Sequence, residues 1–347
     1  MAHDRLCRYD EIRLIHLEPT ARCQAACPMC GRNIAGGRTR GNLVEDEITL
    51  DDFRAWIPDD LLARMTGLFM CGNFGEPVLA RDCLEMFDQC RRANPRIGLG
   101  LNTNGSARKA DFWQDLARLR VTVNFGIDGA TAASHTRYRR HTNFDRILEN
   151  AATFIAAGGR AVWDYLIFNH NEAEVDTARA MAHRMGFAKF VVKPTERFHL
   201  DHFDVLDDAG ELIDVLEPSA LALAAPAEVM PDLTVREIAC DVAKRGSLFI
   251  AASGLVFPCC YLGQLINDRP GAPDSRFDWP TRRSQLAPFF DVVDRIGLAN
   301  LDLHHRSLRY IVDRCLPEFA RHWGVGPDRL MTCAKVCGTG NVCASAR

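Results

Sequence analysis

Several features that identify other classes of protein are missing from this chain of 347 residues. It contains no apolar run long enough to cross a bilayer, and residues 1–19 lack the basic segment, apolar run and small-residue cleavage site of a secretory signal. The net charge is only -3 and no block of like charges occurs, so nothing indicates binding to nucleic acid or to an anionic membrane. We therefore expect a cytoplasmic protein without nucleic-acid or membrane partners.

Cysteine is what the chain has in quantity, with 14 residues in a composition that is otherwise ordinary for a globular protein, 47% hydrophobic and 25% charged. A reducing compartment disfavours a disulfide framework. The cysteines also lie close together in two parts of the sequence, which is typical of metal sites. Metal binding is therefore our first hypothesis for both groups.

Short β-prone apolar runs alternate with longer amphipathic runs from residue 12 to about residue 193, which indicates repeated β-α units around a parallel sheet. The predicted strands cover residues 12–18, 67–71, 97–102, 121–127, 161–168 and 187–193. The predicted helices cover residues 50–56, 82–93, 109–119, 144–157 and 172–185. Six such units predict an α/β fold, namely a partial (β/α)6 TIM-like barrel with its active site at the carboxyl ends of the strands.

The pattern changes after Pro194. Residues 195–239 are interrupted by prolines and predict a bridging segment with some helix. Residues 247–250 and 255–257 predict a β-hairpin, and helical patterns resume around residues 289–295 and 305–323. We therefore predict three units: the barrel over residues 1–194, the bridging segment over 195–239, and a small α+β cysteine-rich domain over 240–347.

The first cysteine group, Cys23, Cys27 and Cys30, follows the first predicted strand directly. We expect it in a loop at the carboxyl edge of the sheet. Three thiolates within eight residues can hold one face of a 4Fe-4S cluster, and a fourth would complete an ordinary electron-transfer cluster. With three thiolates, one iron remains open. The alternative is a structural zinc site that takes a further ligand from elsewhere in the chain.

The spacing C-x3-C-x2-C resembles the cysteine loop of the radical S-adenosylmethionine (SAM) superfamily. The resemblance implies that the open iron binds the amino and carboxylate groups of SAM. It also implies that the cluster cleaves SAM reductively to a 5'-deoxyadenosyl radical, which abstracts a hydrogen atom from the substrate. An electron donor of the flavodoxin or ferredoxin type is implied as well. Met29 stands where the superfamily commonly has an aromatic residue near the adenine.

Further motifs of this superfamily follow in the expected order. The segment MCGNFGEP ends the second predicted strand and resembles the GGE-type motif, which implies that Gly72, Gly75 and Glu76 receive the methionine ammonium of SAM. The segment NTNG closes the third strand like the family's TNG turn and implies a SAM contact for Asn104. Each motif alone is typical of an ordinary turn, so the resemblance depends on their joint order and placement.

The segment after the fourth predicted strand supplies the remaining SAM candidates. The sequence NFGIDG closes this strand where the superfamily has a ribose contact, and Asp128 is the matching residue. In the branch of the superfamily with an extra C-terminal cluster domain, an arginine after the fourth strand often meets the SAM carboxylate. The resemblance leaves two residues open for this role, Arg137 and Arg139.

The second cysteine group resembles the SPASM/twitch extension of a subset of radical SAM enzymes, in which a hairpin and a later helix hold auxiliary 4Fe-4S clusters. Here a first cysteine precedes a Gly-x4-Cys hairpin segment, and the tail has the pattern C-x3-C-x5-C. One auxiliary cluster fits this spacing better than two. The resemblance implies the ligands Cys240, Cys259, Cys333 and Cys337, with Cys343 as the first substitute.

Two other cysteines in this region are less suited to a cluster. Cys260 would point away from Cys259 in an extended strand, and Cys315 falls within a helical pattern in which burial is expected. A zinc ribbon is the alternative for the whole group, since thiolates bind either metal.

The resemblance implies an enzyme that carries out an oxidative modification of a small molecule or a peptide. One alternative is a maturase of ribosomally made peptides that forms a thioether, a carbon-carbon crosslink or an epimer. A second alternative, from another class, is a non-catalytic iron-sulfur or zinc protein. An RNA-modifying enzyme is disfavoured by the acidic balance and the lack of a basic appendage.

Overall fold

The computed structural model describes residues 5–195, 197–198, 201–223, 232–269, 271, 274 and 280–338. Its strands are β1 Leu14–Leu17, β2 Gly67–Met70, β3 Gly98–Thr103, β4 Val121–Gly126, β5 Arg160–Ile167, β6 Lys189–Pro194, β7 Phe203–Leu206, β8 Leu212–Leu216, β9 Ser247–Ile250 and β10 Val256–Phe257. Eight of them form one sheet in the order β10-β9-β1-β2-β3-β4-β5-β6. All neighbours from β9 to β6 are parallel, and only β10 runs antiparallel.

The α-helices of the described part lie mostly between the strands. They are α1 Leu50–Trp56, α2 Asp59–Arg64, α3 Cys83–Ala93, α4 Ala110–Arg118, α5 Ala132–Tyr138, α6 Phe144–Ala156, α7 Val175–Met185, α8 Ala220–Leu223, α9 Asp241–Arg245, α10 Cys260–Gly263, α11 Pro280–Ile296, α12 Leu308–Tyr310, α13 Pro317–Ala320 and α14 Met331–Cys337. Short 3-10 segments occur at Tyr9–Glu11, Pro77–Leu79, Asn169–Glu174, Gln264–Asp268 and Leu298–Asn300, and Ile311–Cys315 forms a π-helical turn. Among the residues described, no helix has the length and apolar character needed to span a bilayer.

The predicted α/β fold is confirmed. Each of the six predicted β-α strands occurs within a few residues of its expected bounds. The helix predicted over residues 50–56 matches α1, because Thr49 and Asp52 form a capping box that fixes its start. The helix α6 ends just before Gly158, which lies in the left-handed region at φ 85°.

The sheet separates an apolar outer face from a more polar inner face. On β4, the side chains of Val123 and Phe125 are buried towards the helices, where Phe125 packs on Trp113 with ring centroids 5.3 Å apart. Alternation along the strand turns Asn124 to the opposite face, where its amide bonds to Asn102 of β3. We call this opposite face the inner face. It leads up to the carboxyl ends of the strands.

Between residues 195 and 239 the structure has one feature that was not predicted. An antiparallel pair of strands, β7 and β8, precedes the short α8. A turn sets this pairing, because Asp207 accepts hydrogen bonds from the backbone N–H groups of Ala209 and Glu211. Gly210 completes the turn at φ 88°.

The hairpin of β9 and β10 was correctly predicted, and it joins the main sheet. Strand β9 pairs in parallel with β1 along its whole length. One hydrophobic core runs continuously from the β-α units into the residues after 240, with Phe249 and Phe257 among its buried members. The division into three units remains a prediction. The helix α14 was not predicted, since its cysteines and small residues gave no clear helical pattern.

Candidate active site

The first three cysteines lie in the long loop after β1, at the carboxyl end of the sheet. Cys27 is buried, Cys23 and Cys30 are half-buried, and none of them forms a disulfide. Backbone pairing brings two of them together, because the Cys30 N–H donates to the Cys27 carbonyl oxygen at 3.0 Å. Burial raises the pKa of the Cys23 thiol, and the neighbouring Cys27 and Cys30 raise it further. The three sulfur atoms are thus close enough to interact.

This loop rests on a separate small hydrophobic cluster. Its buried members are Ala25, Cys27, Met29, Tyr138, Phe168, Val205 and Leu216. They come from the cysteine loop itself, from the segments after β4 and β5, and from the β7–β8 hairpin. A buried ion pair between Arg40 and Asp268, 2.7 Å long, fixes the far end of the loop to the C-terminal half of the chain.

The cysteine loop supplies the donors that an iron-sulfur cubane uses. Such a cubane is held by thiolates, each bound to a different iron. Three thiols would hold three of the four irons and leave one iron open, and Glu76 acts on Cys23 from beside them.

The loop after β2 has a backbone that only glycine permits at two positions. A Cβ on Gly72 would clash with the carbonyl oxygen of Gly75, and a Cβ on Gly75 would clash with the carbonyl oxygen of Thr20. The loop therefore folds on itself and against the start of the cysteine loop. Both predicted glycines are at the site, where their backbones provide the close approach.

Glu76 follows these glycines and is buried. Its Oε2 accepts a hydrogen bond from the backbone N–H of Asn104 at 2.7 Å, and its Oε1 accepts a longer one from Val78 at 3.4 Å. Burial raises the pKa of this carboxyl, and the N–H donors lower it in part. The Thr103 side chain also donates to this carboxyl. A carboxylate has more acceptor positions than these three bonds use, so Glu76 can still accept from a ligand.

Asn104 links the turn after β3 to the cysteine loop. Its Oδ1 accepts from Gln24 Nε2 at 2.8 Å, and its Nδ2 lies 3.9 Å from the sulfur of Cys23. The motifs after β1, β2 and β3, which are far apart in sequence, therefore meet in one place. The predicted contact residues Glu76 and Asn104 belong to one hydrogen-bonded group.

Arg139 approaches the same place from the end of β4. Its Nε donates to Asp128 Oδ2 at 2.5 Å, and its guanidinium lies over Gly126, where a Cβ would be 2.6 Å from Nη2. Burial raises the pKa of the Cys27 thiol to about 11, although the nearby Arg139 charge lowers it in part. Arg139 therefore lies between Asp128 and the cysteine loop.

Asp128 is fully buried, and its role in the site is to hold Arg139 in place. Its second oxygen, Oδ1, accepts from the backbone N–H of Leu166 at 2.7 Å. Arg137 lies outside the group, because its guanidinium bonds to Asp214 of β8 at 2.7 and 2.8 Å. The geometry thus separates the two arginines that the sequence left open.

Glu18 belongs to this group and was not predicted. It directly follows β1 and is buried, and its Oε1 accepts hydrogen bonds from the backbone N–H groups of Phe74 and Gly75 at 2.7 and 3.2 Å. Burial raises its pKa to about 7. An acidic residue that closes an apolar strand just before the cysteine loop was the available signal.

The inner face carries a row of polar side chains that sequence analysis also missed. Asn124 donates to Asn102 Oδ1 at 2.8 Å, and Asn102 donates to the sulfur of Cys71 at 3.4 Å. On the neighbouring strands, Lys193 forms a 2.5 Å ion pair with Asp164. Such a face offers donors and acceptors to a polar molecule. The individual residues are unremarkable in sequence, since only the strand register aligns them.

The second cysteine group lines a small, largely apolar cavity. The cysteines that line it are Cys240, Cys259, Cys333 and Cys337. Backbone pairing of the segment before Cys240 with the end of α14 brings two of them together, since the Ala239 N–H donates to the Cys337 carbonyl oxygen at 2.8 Å. Burial raises the pKa of Cys333, and the nearby Cys259 and Cys337 raise it further.

The other cysteines of this region stand apart from the cavity. The thiol of Cys315 donates to the carbonyl oxygen of Asn300 at 3.4 Å, and Cys260 is not among the residues lining the cavity. The carbonyl oxygen of Cys260 accepts a hydrogen bond from Asn73 Nδ2 at 3.0 Å. This bond joins the loop after β2 to the residue next to Cys259. Cys343 lies outside the described residues.

Comparison with known proteins finds a family that covers the first of these sites. Residues 17–182 match the family model of the Radical SAM superfamily. This segment contains the cysteine loop and both loops that meet it. No curated protein matches the chain.

Solved structures resemble the fold. The structure of SuiB from Streptococcus suis bound to S-adenosylmethionine has a TM-score of 0.51, with 13% sequence identity, covering 72% of this chain and 61% of that chain. SuiB bound to the precursor peptide SuiA has a TM-score of 0.51, with 14% identity, covering 80% of this chain and 64% of that chain. The structure of anSMEcpe with bound AdoMet has a TM-score of 0.49 and 13% identity, covering 72% and 71%.

The chain thus spans about three fifths of the length of the SuiB structures, and the likeness to them is one of fold. The family match covers the part of the chain where the sequence motifs and the geometry coincide. Residues 17–182 are therefore the part of the chain that is similar to the Radical SAM superfamily.

Proposed function

We propose that the protein is a radical SAM enzyme in which Cys23, Cys27 and Cys30 hold a 4Fe-4S cluster with one open iron. The observation that carries the proposal is the meeting of these three thiols with Glu76, Asn104 and Arg139 at the carboxyl end of the sheet. When bound, the cluster and SAM together supply a 5'-deoxyadenosyl radical for hydrogen abstraction. A flavodoxin or ferredoxin-type protein would supply the electron.

The protein's own residues bind and orient SAM in this proposal. Arg139 offers the nitrogens not bonded to Asp128 to the SAM carboxylate, since guanidinium groups bind carboxylates in a paired geometry. Asp128 holds Arg139 in position. Glu76 accepts from the methionine ammonium, and the glycines before it allow the backbone to approach. The position of Asn104 beside Cys23 supports a contact with the bound cofactor.

The substrate would lie against the inner face. The row of amides and the pair of Lys193 with Asp164 provide hydrogen bonds for a polar substrate below the radical site. His16 contributes no positive charge there, since burial lowers its pKa to about 4. This arrangement supports a polar small molecule or a polar side chain as the reacting group.

An oxidative modification requires an electron acceptor, and the four-cysteine cavity supports the proposal of one auxiliary 4Fe-4S cluster. The cavity is lined by the four thiols that the resemblance implies. Fe-S clusters with four Cys ligands act in electron transfer. We propose the same ligands, Cys240, Cys259, Cys333 and Cys337, and a SPASM/twitch-like role for this part of the chain. Cys343 remains a candidate substitute.

Peptide maturation is the second candidate function. It is favoured by the fold shared with SuiB, one structure of which contains the precursor peptide SuiA. The hairpin of β7 and β8 packs beside the cysteine loop, and its Leu212 and Ile213 are 58% and 50% exposed. These exposed apolar side chains would give a longer peptide substrate a surface to bind beside the cysteine loop.

Reductive cleavage of SAM tests the proposal. The protein is reconstituted anaerobically with iron and sulfide, and 5'-deoxyadenosine is measured after SAM and dithionite are added. The enzyme hypothesis expects formation of 5'-deoxyadenosine. Iron uptake without any SAM cleavage would favour the non-catalytic alternative, and stoichiometric zinc with little iron would favour the zinc alternative.

A further inference from the structure

One buried donor faces the four-cysteine cavity and lies beside one of its thiols. Trp323 lines this cavity together with the cysteines. Its Nε1 is buried and makes no well-aligned hydrogen bond among the described residues, but the indole is close enough to Cys333 to lower the pKa of that thiol in part. A buried N–H group without an acceptor is unfavourable, and nearly all such groups in folded proteins have a partner. The indole N–H therefore has the sulfurs of this cavity, Cys333 first, as the acceptors within its reach.

A buried positive charge lies near the same cavity. Arg329 is 3% exposed, and its Nε also lacks a hydrogen-bond partner in the part of the chain that the structure describes. Its terminal nitrogens donate to the carbonyl oxygens of Gly324 and Arg236, which carry no full charge. The guanidinium acts electrostatically on Cys333. Arg329 also acts on the exposed carboxylate of Asp232. A cluster bound by four thiolates is anionic and would be a further anion near this buried cation.

We propose that the Trp323 N–H donates a hydrogen bond to a sulfur of the auxiliary cluster and raises its reduction potential. The proposal rests on the auxiliary cluster put forward above. The physical reason is charge: one-electron reduction adds a negative charge to the cluster, and a donor aimed at its sulfurs stabilises the more negative state. Hydrogen bonds to the sulfurs and burial are established determinants of cluster potentials. Arg329 acts in the same direction.

Trp113 provides a matched control within the same chain. Its Nε1 is also buried and has no partner in the part of the chain that the structure describes, but it lies in the apolar core against Phe125 and does not line the cavity. A Trp→Phe substitution removes a buried indole N–H at either position. Only position 323 has a cluster beside it.

The experiment is a redox titration of the auxiliary cluster in the full chain, followed by electron paramagnetic resonance. Replacing Cys23, Cys27 and Cys30 by Ala in all samples leaves the signal of the auxiliary cluster alone. We expect Trp323→Phe to lower the midpoint potential, so that at the parent midpoint the ratio of reduced to oxidised cluster falls about threefold to tenfold, where tenfold corresponds to 59 mV for one electron. We expect no shift for Trp113→Phe.

An unchanged potential in an iron-loaded Trp323→Phe protein, or an equal shift in Trp113→Phe, overturns the inference while leaving the auxiliary cluster in place. Failure of the parent protein to bind a second cluster contradicts the proposed function instead. A second measurement covers a Trp323→Phe protein that does not retain iron. In the parent labelled with 15N-tryptophan, pulsed resonance should detect a 15N coupling at the reduced cluster, and absence of that coupling overturns the inference.

Discussion

The backbone N–H of Asn104 donates to Oε2 of Glu76 across 2.7 Å. This bond joins the loop after β2 to the turn after β3, so that one carboxylate holds together two segments that are distant in sequence. Glu76 therefore has two roles in our account. It maintains the arrangement of the site, and it supplies a negative charge for the SAM ammonium.

Substitution of Glu76 by Gln separates these roles. The Gln carbonyl can still accept from Asn104, but it lacks the charge that strengthens a bond to an ammonium. We expect SAM affinity to fall about tenfold to a hundredfold, since hydrogen bonds to charged groups contribute about 1.5–3 kcal/mol. Iron content should remain that of the parent. Equilibrium binding of SAM to the reconstituted protein measures the effect, and an unchanged affinity removes Glu76 from the SAM site.

The two arginines after β4 provide a matched pair. We expect Arg139→Lys to weaken SAM binding about tenfold, because Lys cannot reproduce the paired geometry of a guanidinium with a carboxylate. Arg137→Lys should leave SAM affinity unchanged, since Arg137 bonds to Asp214 on the hairpin. Lys is chosen so that buried Asp128 keeps a positive partner. Equal losses in the two variants would show that the geometric distinction between them has no role in binding.

Glu18 makes stability depend on pH in a defined direction. Its pKa in the folded protein is about 7, above the ordinary value of 4.5, because the carboxyl is buried. The folded state therefore holds a proton between these values that the unfolded state has released, and stability is lost as pH rises from 4.5 through 7. The loss is on the order of 3 kcal/mol at one pKa unit per 1.36 kcal/mol.

The free energy of unfolding of the metal-free protein, compared with that of Glu18→Gln at pH 5 and pH 8, measures this contribution. Gln cannot titrate, so the variant should lack this part of the pH dependence. The parent should lose stability relative to the variant as pH rises. Parallel pH profiles would mean that the carboxyl does not titrate in this range.

The auxiliary site should be separable from SAM cleavage. We expect Cys333→Ala with Cys337→Ala to reduce iron content by about half, from two cubanes to one, and to eliminate product while some 5'-deoxyadenosine still forms. Metal binding can be coupled to folding, so circular dichroism and residual iron serve as controls. Product formed at the parent rate by a folded double variant would exclude a required role for this cavity.

Local patterns were sufficient to predict the strands and helices of the β-α units, because each contains its own periodicity and caps. The family resemblance likewise implied the four cysteines that line the second cavity. Sequence could not distinguish Arg139 from Arg137, since the choice depends on which guanidinium reaches Asp128 and which reaches β8. That difference is one of tertiary position.

Other misses have the same origin. Asn102 and Asn124 face each other only because β3 and β4 pair in one particular register. Glu18 acquires its role from N–H groups more than fifty residues away along the chain. The strands β7 and β8 were missed because prolines and an Ala/Leu-rich stretch elsewhere in residues 195–239 dominated the pattern.

The central claim is that Cys23, Cys27 and Cys30 bind the cluster that cleaves SAM, and one comparison tests it directly. The parent, the triple Ala variant of these cysteines, and a control with Cys83→Ala and Cys90→Ala are reconstituted in parallel. The control cysteines are buried in the core. With SAM and dithionite, the parent and the control should form 5'-deoxyadenosine and the triple variant none. Formation of 5'-deoxyadenosine by the triple variant at the parent rate would contradict the account.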